Sequence, residues 1–159
     1  MRLDVEISGA REAVANLAAI GERARDPRPA MRKVKGILAE GVKEQYESRG
    51  GHLETPWPAN TPGTLARKAR LGQSAETLTA TGALGTALSG GRGKRHRATR
   101  SSVTVGTNVW YARFAQSGTS GAGKHGQTRA PARQIMGISK SDRAKALRDV
   151  ERYILRGLL

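Results

Sequence analysis

The chain contains no cysteine, which excludes disulfide frameworks, thiolate metal sites and cysteine nucleophiles and fits a reducing compartment. Aromatic residues are scarce, with two Trp, three Tyr and one Phe, so the core must be small and built mainly from Leu, Ile, Val and Ala. No stretch approaches the ~20 apolar residues of a spanning helix. The opening MRLDVEISGAREAVANLAAI carries acids and lacks the apolar run of a signal peptide, so a soluble protein made in a cytoplasm is expected, with no membrane partner. Negative charge is missing from one long region. Between Glu76 and Asp142 there is no acid, while that region holds Arg92, Lys94, Arg95, Arg97, Arg100, Arg113, Lys124, Arg129, Arg133 and Lys140.

The 159 residues carry a formal net charge of +15, a field that attracts nucleic acid, acidic protein or anionic lipid without choosing among them. The length, with no second hydrophobic block, predicts a single domain over 1–159. Within it the basic segments at about 90–100 and 118–132 read as flexible.

Periodicity outlines the elements. RLDVEIS (2–8) alternates as a half-buried strand that ends at Gly9. Ala13, Val14, Leu17, Ala18 and Ala24 fall at helical spacing up to Asp26-Pro27. After Pro29 a second helix has the stripe Met31, Val34, Leu38, Val42 and Tyr46, and Gly50-Gly51 ends it. The proline-rich HLETPWPANTPG is a loop, with Trp57 as its anchor into the core. Short helices are predicted over 63–71 and about 76–88, and SSVTVG reads as a second strand. VWYARFA (109–115) fits either a partner strand or a short helix. Ser139 with Asp142 resembles a capping box, and Ala144, Leu147, Val150, Ile154 and Leu158 predict a final helix. The sum is an α+β fold, a small antiparallel sheet packed against amphipathic helices, with a long basic Gly-rich loop.

Several segments invite a chemical reading. Gly118 to Lys124 imitates a phosphate-binding loop, but His125 stands where Ser or Thr would hold magnesium, and GQTRAPAR is no helix. It reads as a flexible loop. GGRGKRHR (90–97) resembles the core of a minor-groove arm without its flanking proline; the plainer reading is a basic hairpin tip, solvated or facing an acidic neighbour. Glu40 and Glu44 share the polar face of a helix with Lys43, and the three histidines have neither metal-ligand spacing nor companion acids in sequence. No catalytic group, cofactor or metal site is expected, and the protein is not read as an enzyme. Trp110, Tyr111 and Phe114 could stack on bases, but the three adjacent aromatics read first as core, with Tyr111 and Phe114, like Trp57, as structural anchors.

The order of these features carries a resemblance. LTATGAL (78–84), VTVG (103–106), YARFAQSG (111–118) and RQIMGIS (133–139) follow the Trp57 loop and Thr64 and Lys68, and precede an amphipathic helix. In that order the chain resembles the Mu-like phage virion morphogenesis proteins, also called phage tail completion proteins. The resemblance implies a non-enzymatic structural protein of the virion, at the neck or head-proximal end of a tail, assembled in the host cytoplasm. It further implies a homo-hexameric ring that finishes the tail and enables head-tail joining, as a completion or terminator subunit. Its partners would be further copies of itself, tail tube and head-tail connector proteins, and packaged DNA. Arg92, Lys94, Arg95, Arg97, Arg100, Lys124, Arg129 and Arg133 are then the candidates for contact with DNA or a partner, and Arg129 and Arg133 would pair with partner carboxylates. The alternative is a small basic DNA-binding or architectural protein whose same basic stretch tracks phosphate.

Overall fold

The computed structural model describes residues 9–122 and 128–156, without the side chains at 122, 128 and 129. The strand expected over 2–8, Lys124 and the last turn at Leu158 lie outside the described residues. The elements are α1 (Ala10–Arg25), α2 (Arg28–Glu47), a 3-10 turn (Gly51–Leu53), α3 (Pro62–Arg70), α4 (Ala83–Leu88), β1 (Arg97–Ala98), β2 (Val103–Thr104), α5 (Ala112–Ser117), β3 (Thr119–Ala122), β4 (Thr128–Ala130) and α6 (Lys140–Ile154). Strands β1 and β2 pair antiparallel, with Arg97 opposite Thr104 and Ala98 opposite Val103. Strands β3 and β4 form a second antiparallel pair with an irregular register between Thr119 and Ala122. The α+β class read from the sequence is the one observed.

α2 is the spine. It starts at a proline, where the missing N–H is not needed, and it packs against α6, α4 and the β1–β2 hairpin. Its inward residues Val42 and Tyr46 join Trp57, Leu84, Leu88, Ala112, Ala115 and Ile135 in one core cluster. Tyr46 and Trp57 meet edge to face with ring centroids 5.8 Å apart. α6 begins where Ser139 Oγ accepts from the Asp142 N–H at 3.0 Å, so the sequence signal for this cap has its structural counterpart.

Residues 133–138 run through this core in no helix and no sheet. Backbone groups placed there need partners, and glutamines provide them. Gln116 Oε1 accepts from the N–H groups of Ile135 (2.9 Å) and Met136 (3.0 Å), while its Nε2 donates to Met136 O at 3.1 Å. Gln134 O accepts from Gln45 Nε2 at 2.6 Å and from the Trp57 indole N–H at 2.9 Å. Gln45 is 1% exposed, a buried amide whose oxygen also takes the Leu53 N–H at 2.9 Å. The motifs YARFAQSG and RQIMGIS are therefore two halves of one hydrogen-bonded unit.

Two sequence expectations change, and one left open between strand and helix is decided. The helix predicted over about 76–88 begins only at Ala83. Upstream, the Lys68 ammonium donates to Ser74 O and Thr79 O at 2.8 Å each and to Glu76 O, which holds this stretch as a turn. VWYARFA resolves as a turn that leads into helix α5 at Ala112, because Ala112 and Ala115, three residues apart, fit a small face into the core. The 118–132 segment is not an unstructured loop along its whole length, since β3 and β4 pair as its two arms. Gly118 makes this possible: at φ 71° it closes the base of the ribbon, where a Cβ would stand 2.8 Å from Ala130 O and from Ala132 N.

Candidate functional site

Among the described residues two exposed apolar surfaces stand out, although Leu71, Ile138 and Leu147 are also exposed. The first is at α5. Its alanines turn inward, so the larger side chains turn outward: Trp110 is 72% exposed and Phe114 is 37% exposed. Trp110 packs edge to face on Tyr111 (5.7 Å) and Phe114 (5.9 Å), and the Arg113 guanidinium lies 4.6 Å from the Phe114 ring centroid. Beside this aromatic step lies a cleft of about 540 Å³, lined by Val109, Trp110, Ala112, Gln116, Ile135 and Met136 among others. Of the aromatics expected in the core, Trp57 is buried and Tyr111 half-buried, whereas Trp110 and Phe114 are exposed and correct that reading. Its helix is only six residues long, too short to sheathe both faces.

The second surface is α1. None of its 16 residues is buried, and Val14 and Leu17 are 67% and 66% exposed. It is moored near its C-terminal end, where Arg23 Nε donates to Ile154 O at 2.9 Å and Tyr153 Oη donates to Asp26 O at 3.0 Å. An amphipathic helix with an apolar stripe left in water is a surface awaiting a partner.

The candidate basic residues divide into different environments. Arg92, Lys94, Arg95, Arg97 and Arg100 are all exposed, and they lie on or beside a β-hairpin rather than a free arm. Lys124 and the side chain of Arg129 lie outside the described residues. Arg133 points the other way. It is 9% exposed, and its guanidinium donates to Pro58 O at 3.1 and 3.0 Å and to Ala59 O at 3.4 Å. Burial pushes its pKa down. Arg133 is thus a buried tie between the 133–138 strap and the Trp57 loop, which corrects its assignment to a partner's carboxylate. The reason lies with Arg133: once its side chain is buried, its guanidinium protons need acceptors, and the Pro58 and Ala59 carbonyls supply them.

A polar cluster escaped the sequence reading. His52 Nδ1 lies 2.9 Å from Glu44 Oε2, and its Nε2 lies 2.6 Å from Asp142 Oδ2. The histidine therefore does have companion acids, one from α2 and one from α6. Burial opposes ionisation of Asp142, but hydrogen bonds from His52 and from the Ser139 cap leave its pKa below the ordinary value. Gly41 is what lets α6 come so close: an added Cβ would stand 2.5 Å from Asp142 Oδ2. The two carboxylates occupy opposite ring nitrogens and share no common point for a cation. Among the described residues no group of His, Asp and Glu is arranged to hold a metal. A weak clue in sequence was Gly41 in the middle of α2, but Gly36 in the same helix has nothing packed against it, so glycine alone did not mark the contact.

Among the described residues no helix is long and apolar enough to cross a membrane. Searches of curated proteins and of solved structures return no match. Comparison with known protein families matches residues 5–155, nearly the whole chain, to the phage virion morphogenesis family. The Gln116–strap unit, the Lys68 turn and the outward aromatic step all lie within the matched span: the chain belongs to the phage virion morphogenesis family and has a role in building a phage virion.

Proposed function

We propose that this chain is a structural, non-enzymatic subunit that assembles with further copies of itself into a ring, with six as the copy number. In this reading it sits at the neck or head-proximal end of the tail, as a completion or terminator subunit. There it finishes the tail and makes it competent to join the head. Its partners are tail tube and connector proteins.

The supporting observation is the pair of separate uncovered apolar surfaces, the Trp110–Phe114 step and the α1 stripe of Val14 and Leu17. Two different sticky surfaces on one subunit suit a head-to-tail contact, which closes into a ring when the rotation allows. Aromatic and aliphatic anchors are also what interface centres are made of.

Light scattering with negative-stain imaging tests this. The expected result is a uniform ring for the wild type and a folded monomer for the double variant Leu17→Ser, Trp110→Ser. A wild type that stays monomeric at every concentration, alone and with isolated tails, refutes it.

A further inference from the structure

Beyond assembly, we propose that the 92–107 hairpin region, with Lys35 of α2 beside it, is a binding ridge for the phosphate backbone of duplex DNA.

The ridge is a built surface. Lys94 and Thr107 form an antiparallel bridge, Arg95 N–H donates to Gly106 O at 2.7 Å, and Arg97 pairs with Thr104. The turn is tied by Thr99, whose N–H donates to Ser102 O and whose hydroxyl meets the Ser102 hydroxyl, both at 2.8 Å. A hairpin held in this way presents its cations at fixed spacing, so binding loses less entropy than a free arm would.

Among the described residues no acid pairs with its charge. Among the described residues every salt bridge lies elsewhere, and none involves Arg92, Lys94, Arg95, Arg97 or Arg100. Asp26 feels Arg100, but Arg28 clasps both its oxygens, at 2.7 and 2.8 Å, and holds its carboxyl down at about 2. Helix α2 packs against the hairpin, and the charge of its Lys35 adds to that of Lys94 in lowering the His96 pKa.

Composition of the ridge chooses the partner. Its apolar residues Ala98, Val103 and Val105 are half-buried, and Val105 packs against the core. What it exposes besides cations is largely hydroxyl, from Ser101, Ser102 and Thr104. A protein partner needs an apolar or aromatic centre to its interface, and this chain keeps such a centre at Trp110 instead. Phosphate contacts use Arg, Lys and hydroxyls and need no apolar centre. Four of the five hairpin cations are arginines, whose planar fork matches phosphate oxygens in pairs.

His96 supplies an internal reporter. Its Nε2 is buried without a hydrogen-bond partner, and burial, then Lys94 and Lys35, push its pKa below the ordinary value. A phosphate laid across the two lysines offsets their repulsion, so the His96 pKa should rise on binding.

The experiment is fluorescence anisotropy of a mixed-sequence duplex oligonucleotide against the full chain over a range of salt, with the His96 ring followed by NMR. Arg95→Gln, Arg97→Gln and Arg100→Gln together should weaken binding on the order of tenfold or more and reduce the salt slope by about one per cation removed. Removing an equal charge at the exposed Arg67, Arg70 and Arg148 should change affinity less than twofold, and the His96 titration should move up with duplex. Equal losses in both triple variants, an unmoved His96, absence of duplex binding, or equal binding of poly-glutamate or of anionic phosphatidylglycerol vesicles would overturn the proposal. Ring formation by the ridge variant, measured separately, keeps this outcome independent of the assembly reading.

Discussion

Lys68 and Arg133 bear the same charge as Arg95 and Arg97, but the two pairs do opposite things. The first two are 6% and 9% exposed and spend their protons on backbone carbonyls, with no carboxylate as partner. The second two stand in solvent on a hairpin and, among the described residues, pair with no acid. A buried cation survives only if its donors are used, because desolvation is severe; an exposed one keeps its hydration and remains free to meet a polyanion. The net charge of the chain therefore overstates the surface available to partners and understates how much of the fold is tied by cations.

Substitutions sharpen that contrast. Arg133→Met is expected to have the largest effect, about 2–4 kcal/mol by denaturant unfolding, since the charged hydrogen bonds that tie the 133–138 strap to the Trp57 loop are lost. Lys68→Met should lose about 2–3 kcal/mol by removing the donor to the 74–79 turn. If both variants unfolded like wild type, the interior cations would be no different from the exposed ones. Gly41→Ala tests the α2–α6 approach, and overpacking against Asp142 should destabilise by about 1–3 kcal/mol.

Acid provides a further test of that contact. The pKa of Asp142 is lowered in the folded protein, so in acid the unfolded chain binds more protons. Its contribution is present at neutral pH and is lost as pH falls below the ordinary carboxylate value, about 3.9, and through the lower folded value. Asp142→Asn should flatten this acid limb of the stability curve. The smallest effect is expected at the ridge: Arg97→Gln should leave stability within about 0.5 kcal/mol of wild type.

The long elements were legible because they repeat. The α2 stripe, the Pro29 start and the Ser139 cap each recur or sit at a fixed offset, and short-range spacing reports them directly. Short elements gave no such repetition. VWYARFA is compatible with two periods over seven residues, and only the core position of Ala112 and Ala115 decides between them. The β3–β4 ribbon has too little apolar alternation to announce itself. The candidate site divided along the same line: the exposed arginines could be proposed from charge alone, while the direction of Arg133 could not.

By itself the sequence determined the α+β class, the helix boundaries set by proline and capping residues, the absence of thiol chemistry and the acid-free region between Glu76 and Asp142. These depend on composition and on neighbours within a few positions. Tertiary structure alone decided that Gln45, Gln116 and Trp57 hold the 133–138 strap, that His52 sits between Glu44 and Asp142, and which cations are interior. Each of these joins residues from separate parts of the chain, because a buried backbone group takes whichever donor the packing brings within about 3 Å, whatever its distance in sequence.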